Sequence, residues 1–227
     1  MNSIGHSGGS VHLKQWLDRV ATGVLVIAAL AVTWKVLFGA TSGELAPPIE
    51  NTAVDNWELL SSGGHRDGPA NAVVTMVVFT DLECPACRNF HTEVVVPLRA
   101  EFDGQVAVVY RHWPLKYHRF AYAAARAAEC AAHQGRFHPF VDAVFAGQDS
   151  LGLKSFISFA RESEVGDMAD FTECASDTGP VARVDQDSAL VRRIGGSGTP
   201  TVVLNGIRWG RPPTREEVAE IIAALNP

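Results

Sequence analysis

The pattern that most constrains the fold is a buried strand followed at once by a helix that begins with two cysteines. Residues 73–79 form a near-continuous apolar run, rich in β-branched side chains. Such a run is typical of a central strand of an α/β sheet, buried on both faces. The sequence Cys84-Pro85-Ala86-Cys87 follows, and proline is favoured at the first position of a helix. We therefore predict that Cys84 caps a helix directly after a central strand.

The spacing of apolar residues orients the two thiols on this helix. An apolar side chain recurs every three or four residues, at Cys87, Phe90, Val94 and Leu98. This spacing places Cys87 on the buried face and Cys84 at the exposed tip. The unpaired N–H groups and the positive dipole end of a helix N-terminus favour a thiolate at Cys84. Cys84 is therefore the predicted nucleophile, and Cys87 would resolve a mixed disulfide.

The rest of the domain is predicted to be a sheet interrupted by helices. Further strands are expected at residues 57–60, 105–112, 201–204 and 207–209, the last two joined by an Asn205-Gly206 hairpin turn. Residues 65–71 are expected to form a loop. Between about residues 116 and 194 the pattern is helical, which predicts an all-helical insertion. The last helix is predicted to begin with a capping box formed by Thr214 and Glu217.

An apolar segment near the N-terminus bears on the compartment. Residues 20–34 carry no charge, and Lys35 alone interrupts the apolar character before Ala40. As a helix, residues 20–40 would span about 31 Å, which matches a bilayer core of about 30 Å if Lys35 snorkels. Lys14 and Arg19 precede the segment, which favours an N-terminus in the cytoplasm. A cleavable signal peptide is the alternative interpretation.

These features predict four parts of the chain. They are a cytoplasmic segment at residues 1–19, a transmembrane signal anchor at 20–40, a linker at 41–55 and a folded domain at 56–227. We expect a single-pass protein of the inner (cytoplasmic) membrane, with the domain in the extracytoplasmic or periplasmic space. The net charge of -6 provides no basic surface for nucleic acid, so nucleic-acid binding is not expected.

The other two cysteines, Cys130 and Cys174, allow two interpretations. They are either two buried free thiols or a structural disulfide, and an exported location favours the disulfide. A zinc site built from the Cys84–Cys87 pair with His133 and His138 is the alternative interpretation of the first pair. The spacing is far from that of zinc fingers, so no metal and no cofactor are expected. His91, one turn after Cys87, is a candidate copper ligand or an ordinary surface residue.

Four motifs together resemble the DsbA-like branch of the thioredoxin superfamily, the exported thiol:disulfide oxidoreductases. They are Phe79-Thr80-Asp81-Leu82-Glu83-Cys84-Pro85-Ala86-Cys87, then Pro114-Leu115 with His118, then Ala128-Glu129-Cys130-Ala131 with Gln134-Gly135, and Gly198-Thr199-Pro200-Thr201 with Asn205-Gly206. The resemblance covers about residues 54–227. It implies a thioredoxin fold with an all-helical insertion, preceded here by the N-terminal transmembrane helix.

The resemblance also implies the chemistry of the site. Cys84 and Cys87 would be catalytic, and a cis peptide bond between Thr199 and Pro200 would pack against their disulfide. Pro85, Ala86, Thr199 and Pro200 would support the site and bind substrate, with the backbone of Thr199 pairing with an extended substrate. The expected function is oxidation of cysteines in exported proteins. Alternatives are a membrane-anchored reductase for exported proteins, a metal-handling module and a redox-inert chaperone-like domain.

The expected partners follow from the same resemblance. A membrane redox partner, either a quinone-coupled oxidase or an electron carrier, would recharge the site. Isomerases of the superfamily usually carry a separate dimerisation domain, which the non-membrane residues before Val54 are too few to supply, so a monomer is expected.

Two positions depart from the family pattern. Val78 stands where thioredoxins have a buried acid, so no proton relay is assigned there. Ala86 stands where strong oxidases have histidine, so we expect a less oxidising disulfide. Asp81 and Glu83 lie beside the thiols, and Asp81 is interpreted as a loop or cap contact, with a proton relay as the alternative.

Overall fold

The computed structural model describes residues 9–38 and 50–226 of the chain, which divides into two units. The described part of the first unit, residues 1–48, is the helix α1 (Gly9–Phe38). Among the described residues, no helix is long and apolar enough to cross a membrane. The predicted anchor at residues 20–40 is therefore unconfirmed. Most of the predicted linker falls within residues 39–49, which lie outside the described residues.

The second unit, residues 49–227, is built around a six-stranded sheet. The strands are β1 (Thr52–Ala53), β2 (His65–Asp67), β3 (Val74–Thr80), β4 (Val106–His112), β5 (Thr201–Leu204) and β6 (Ile207–Arg208). Their order across the sheet is β1-β6-β5-β3-β4-β2. β3 pairs in parallel with β4 and antiparallel with β5, so it is a central strand, as predicted.

Alternate side chains of β3 face two separate cores. Met76 and Val78 belong to the larger apolar cluster, whereas Val77 and Phe79 belong to a smaller one on the other face. All seven residues of β3 are buried. A strand covered on both faces needs apolar side chains at consecutive positions, which explains the continuous run in the sequence.

Helices form most of the remainder of this unit. They are α2 (Glu58–Ser62), α3 (Pro85–Phe90), α4 (Val96–Glu101), α5 (Ala121–Ala132), α6 (Phe137–Ala146), α7 (Phe156–Glu162), α8 (Met168–Ser176), α9 (Ala182–Arg193) and α10 (Arg215–Leu225). α5 to α9 lie between β4 and β5 in the chain, so the all-helical insertion is confirmed. α10 begins with the predicted capping box, in which Glu217 N–H donates to Thr214 Oγ1 at 3.3 Å and Thr214 N–H donates to Glu217 Oε2 at 2.8 Å.

Two predictions near the start of the domain are wrong. Trp57 is the N-cap of helix α2 and residues 58–60 lie within that helix, so residues 57–60 form no strand. Residues 65–67 form β2 where a loop was predicted. Both elements depend on distant partners. β2 pairs with β4, and Arg111 of β4 donates to the carbonyls of Leu59 and Leu60 at 2.7 and 2.8 Å. A local sequence pattern carries no information about such contacts.

The helix that begins with the cysteines contains an irregularity that was not predicted. A π-helical turn, His91–Val95, joins α3 to α4, and Val96 N–H donates to the carbonyl of His91, five residues earlier. Pro97 has no N–H for the carbonyl of Glu93, and its ring would clash with that carbonyl in a regular α-helix. The wider turn therefore accommodates the proline, and such turns are frequent at functional sites.

Candidate active site at Cys84 and Cys87

Helix α3 positions both thiols. Cys84 is the N-cap with extended backbone (φ -76°, ψ 121°), and Pro85 occupies the first turn. The Arg88 N–H donates to the carbonyl of Cys84 at 3.1 Å, which closes the first turn of the helix. Cys87 is 1% exposed, whereas Pro85 and Ala86 are exposed. A protein substrate can therefore approach the site over the surface of Pro85 and Ala86.

Cys84 is less accessible than its position at a helix tip suggested. It is only 7% exposed, so the expectation of an exposed tip is wrong. The loop before β5 covers it, and Cys84 Sγ lies 3.5 Å from the carbonyl oxygen of Thr199. The Thr199–Pro200 peptide bond is cis, and Pro200 is buried. Helical periodicity cannot reveal a loop that comes from more than a hundred residues away.

Sheet pairing places this loop beside the thiols. β5 runs antiparallel to β3, and Thr201 pairs with Phe79 near the end of β3. The chain before Thr201 is thereby brought to the same end of the sheet as the residues that follow β3. Thr201 Oγ1 donates to the carbonyl of Gly198 at 2.7 Å and holds the loop in its turn.

The two thiols differ in acidity. A hydrogen bond from Cys87 lowers the pKa of Cys84 to about 5, against the effect of burial, with smaller contributions from Thr199 and from the N–H groups of Ala86 and Cys87. Burial, together with the hydrogen bond and charge of Cys84, raises the pKa of Cys87 well above its ordinary value. At neutral pH the reduced site therefore carries a thiolate at Cys84 and a thiol at Cys87.

This difference predicts a specific pH profile for alkylation of the reduced protein. Below pH 5 Cys84 is protonated and unreactive; the iodoacetamide rate should rise through a midpoint near pH 5 and level off by neutral pH. The rate is measured by quenching samples in acid and quantifying modified Cys84 by mass spectrometry.

Substitution at Cys87 provides the control for this profile. Cys87→Ala removes the main hydrogen-bond donor to the Cys84 thiolate. In this variant the midpoint of Cys84 alkylation should therefore move upward by at least about one pH unit. A wild-type midpoint above about 8, where ordinary thiols titrate, would contradict the assignment.

Asp81 shapes the loop between β3 and the thiols. It is 1% exposed, its Oδ1 accepts from Glu83 N–H at 2.8 Å, and its Oδ2 accepts from Leu115 N–H at 2.8 Å. His118 Nδ1 also lies 2.8 Å from Oδ2. The backbone N–H of Asp81 donates to Cys87 Sγ at 3.4 Å. These are the contacts of a loop-forming residue, as interpreted from the sequence.

Two further side chains join this loop to the helical insertion. Glu83 Oε2 accepts from the N–H of Phe120 at 2.5 Å. Gln148, 6% exposed, donates through its amide to the carbonyls of Leu82 at 2.9 Å and Cys84 at 3.1 Å. Sequence reasoning missed Gln148, because nothing in its neighbourhood distinguishes it from a surface residue. Both contacts hold the insertion against the thiol loop.

Cys130 and Cys174 are joined by a disulfide in the structure. It links α5 to α8, with a Cα–Cα distance of 5.8 Å and a sequence separation of 44. Cys84 and Cys87 are in the dithiol form.

The structure does not assemble the metal sites that were weighed from the sequence. In the described ranges, one group of three or more His, Cys, Asp or Glu side chains can share an ion, and it contains neither Cys84 nor Cys87. His133 and His138 are therefore not brought to the thiols. His91 is buried, with Nδ1 at 2.8 Å from Tyr110 Oη and Nε2 at 3.0 Å from an Asp142 oxygen, so the surface alternative for it is wrong.

Comparison with known sequences agrees with this architecture. A family model described as thioredoxin matches residues 61–224. Among curated proteins, a Na⁺/H⁺ antiporter NhaA 3 of Salinispora tropica is 31% identical over 226 residues, covering 91% of this chain and 33% of that protein. A Na⁺/H⁺ antiporter NhaA of Herminiimonas arsenicoxydans is 35% identical over 186 residues, covering 82% and 28%. The chain spans about a third of the length of these relatives.

Solved structures share the fold. BdbD from Bacillus subtilis superposes with a TM-score of 0.64 at 21% identity, covering 72% of this chain and 92% of that one. A thioredoxin-like oxidoreductase from Silicibacter pomeroyi gives 0.61 at 25% identity, covering 75% and 97%. Wolbachia pipientis α-DsbA1 gives 0.61 at 22% identity, covering 74% and 94%. The chain therefore belongs to the thioredoxin superfamily, and its larger unit has the fold of the DsbA-like branch.

Proposed function

We propose that the protein catalyses thiol:disulfide exchange through Cys84 and Cys87. The observation that carries the proposal is the hydrogen-bonded pair at the start of α3, in which Cys84 has a low pKa and Cys87 a high one. Exposed Pro85 and Ala86 give access to the pair, and the carbonyl of Thr199 lies against the reactive sulfur. The comparison with a thioredoxin-like oxidoreductase at 25% identity supports the same chemistry.

In the oxidative direction the exchange proceeds in two steps. A substrate thiolate attacks Cys84 Sγ of the Cys84–Cys87 disulfide, and Cys87 leaves as a thiolate and takes up a proton. A second substrate thiolate then attacks the substrate sulfur of the mixed disulfide, and Cys84 leaves as a thiolate. The substrate loses two electrons and gains a disulfide, while the enzyme becomes the dithiol. The low pKa of Cys84 makes it the better leaving group in the second step.

We further propose that the cell uses this chemistry to oxidise exported proteins. Stabilising the Cys84 thiolate stabilises the dithiol form, which makes the disulfide a better oxidant. A reductase is the second candidate, and Ala86 favours it, because an alanine beside the thiolate adds no donor or charge. The sodium–proton exchange in the relatives' names is not proposed for this chain, which spans about a third of them.

The proposed location is outside the cytoplasm. The Cys130–Cys174 disulfide supports it, because disulfides persist in oxidising compartments. Residues 20–40 are proposed as the anchor in the inner membrane, and the exposed apolar side chains of α1, Leu25 and Ile27 among them, support that role. The domain would act as a monomer. A quinone-coupled oxidase would reoxidise its Cys84–Cys87 pair, or a membrane electron carrier would reduce it.

Cys87→Ser is expected to trap the substrates of the enzyme. Without the resolving thiol, mixed disulfides at Cys84 should persist and appear as higher bands on non-reducing gels that collapse on reduction. The Cys84→Ser, Cys87→Ser double variant, which has no exchange thiol, is the matched control and should give no adducts. Equal adduct levels in both strains would reject exchange at Cys84.

The redox state of the wild-type pair in cells distinguishes the two directions. Acid quenching followed by alkylation with a mass tag separates dithiol from disulfide. An oxidase is held mostly as the disulfide, whereas a reductase is held mostly as the dithiol. If Cys84 and Cys87 are mostly reduced in cells, the protein acts as a reductase and the proposed oxidase function is wrong.

A further inference from the structure

Three side chains that have no part in the thiol site meet at one edge of the sheet. His65 of β2, His112 of β4 and Glu129 of α5 each offer one donor atom, and the three atoms lie within 4.8 Å of one another. Glu129 Oε1 is 2.5 Å from His65 Nε2 and 2.8 Å from His112 Nε2. The cluster therefore joins two strands and the first helix of the insertion.

The cluster is shielded and its rings are held in place. The exposed fractions are 16% for the His65 side chain, 2% for His112 and 11% for Glu129. The ring of His65 stacks on Phe137 of α6 with centroids 3.7 Å apart. Both imidazoles point Nε2 toward Glu129 Oε1. The rings therefore need little rotation to direct these nitrogen atoms at a bound ion.

We propose that His65, His112 and Glu129 bind one divalent transition metal ion, with Zn²⁺ as the ion that best fits the donors. Two imidazole nitrogens and one carboxylate oxygen are ligands that Zn²⁺ prefers. With metal–ligand distances of about 2.0–2.1 Å, donor atoms in a tetrahedral site lie roughly 3.3 Å apart. Each Nε2 atom would move away from Glu129 Oε1 by less than about 1 Å to admit the ion.

Entry of an ion would exchange the hydrogen bonds within the cluster for bonds to the metal. A bound ion would displace the protons on the two Nε2 atoms, and a water molecule would fill the fourth position. A cavity of about 360 Å³ bordered by Glu129, Cys130 and Arg183 lies beside the carboxylate.

Arg183 distinguishes a metal site from a purely structural network. Its Nε lies 3.2 Å from Glu129 Oε2, and its side chain is 42% exposed. In a structural network this cation stabilises the carboxylate, so its removal weakens the cluster. In a metal site the same charge opposes a divalent ion, so its removal strengthens binding. Nη1 of Arg183 also donates to the carbonyl of Gly63, which holds the guanidinium beside the cluster.

The test is a zinc titration of the untagged, full-length chain by isothermal titration calorimetry. Cys84 and Cys87 are kept as the disulfide, so that no free thiol competes for zinc. We expect one equivalent to bind. His65→Asn, at the rim of the cluster, should weaken binding by at least about tenfold, whereas His133→Asn, an exposed histidine outside the cluster, should bind as the wild type does. Circular dichroism confirms that each variant is folded.

Two further measurements make the proposal decisive. Arg183→Gln should bind zinc about tenfold more tightly than the wild type. Cobalt substituted for zinc should show d–d bands without a sulfur-to-cobalt charge-transfer band, as expected for nitrogen and oxygen ligands. Stoichiometry far below one, equal affinity in His65→Asn, or weaker binding in Arg183→Gln would each overturn the site. None of these outcomes depends on thiol exchange.

Discussion

Replacing Asp187 with Ala is expected to lower the free energy of unfolding by about 3–5 kcal/mol. Asp187 of α9 and Arg111 of β4 form an ion pair whose side chains are 2% and 6% exposed. Asp187 Oδ2 also accepts from the N–H of His112 at 3.0 Å. Removing the carboxylate leaves a buried guanidinium charge and a backbone donor without their acceptor, and both are costly in a poorly solvated site.

The measurement is urea denaturation of the full-length chain, with a surface ion pair as the matched control. Glu101 and Arg215 form a pair with side chains 48% and 41% exposed, so Glu101→Ala should cost about 1 kcal/mol or less. Asp187→Asn keeps a hydrogen-bond acceptor, so its loss in the free energy of unfolding should fall between those of Asp187→Ala and Glu101→Ala. A loss below about 1 kcal/mol in Asp187→Ala would show that the buried pair contributes no more than a surface pair.

Most of the fold was predictable because its elements leave local signatures. The run at residues 73–79 marks a strand covered on both faces, and Pro85 marks the start of a helix. Asn205 and Gly206 have φ of 43° and 86°, the positive values that a two-residue hairpin turn requires. In each case the residues that determine the local structure are neighbours in the chain, so a single sequence is enough to predict it.

The site was predictable only in part, because several contacts join distant residues. Cys84 and Cys87 were evident from their spacing. The resemblance implied that a cis Thr199–Pro200 bond packs against the thiols, and the structure has this bond. How far the loop covers Cys84 depends on the register between β3 and β5, which local sequence patterns do not specify. The meeting of His65 with Glu129, 64 residues apart, likewise depends on how α5 packs against the sheet edge. In the sequence, nothing local distinguishes His65 and Glu129 from ordinary polar residues.

Removing the Cys130–Cys174 disulfide is expected to lower the free energy of unfolding by about 4 kcal/mol, from the loop-closure entropy of 44 residues. The bond joins α5 to α8 within the insertion, so its loss should loosen the segment that holds the thiol loop through Gln148. Cys130→Ala, Cys174→Ala is the suitable variant, because Cys130 is 1% exposed and a serine hydroxyl would add an unsatisfied polar group.

The active-site cysteines would obscure this comparison, so both proteins should carry Cys84→Ser and Cys87→Ser. In that background the parent should show no free thiol when denatured without reductant, and reductant alone should lower its stability to that of the variant lacking Cys130 and Cys174. Two free thiols in the parent would contradict the bond itself. A parent that is bridged yet only about 1 kcal/mol more stable would contradict the entropic estimate and leave the bond intact. Because the stabilisation requires oxidising conditions, the same pair of proteins measures how strongly folding depends on an oxidising environment.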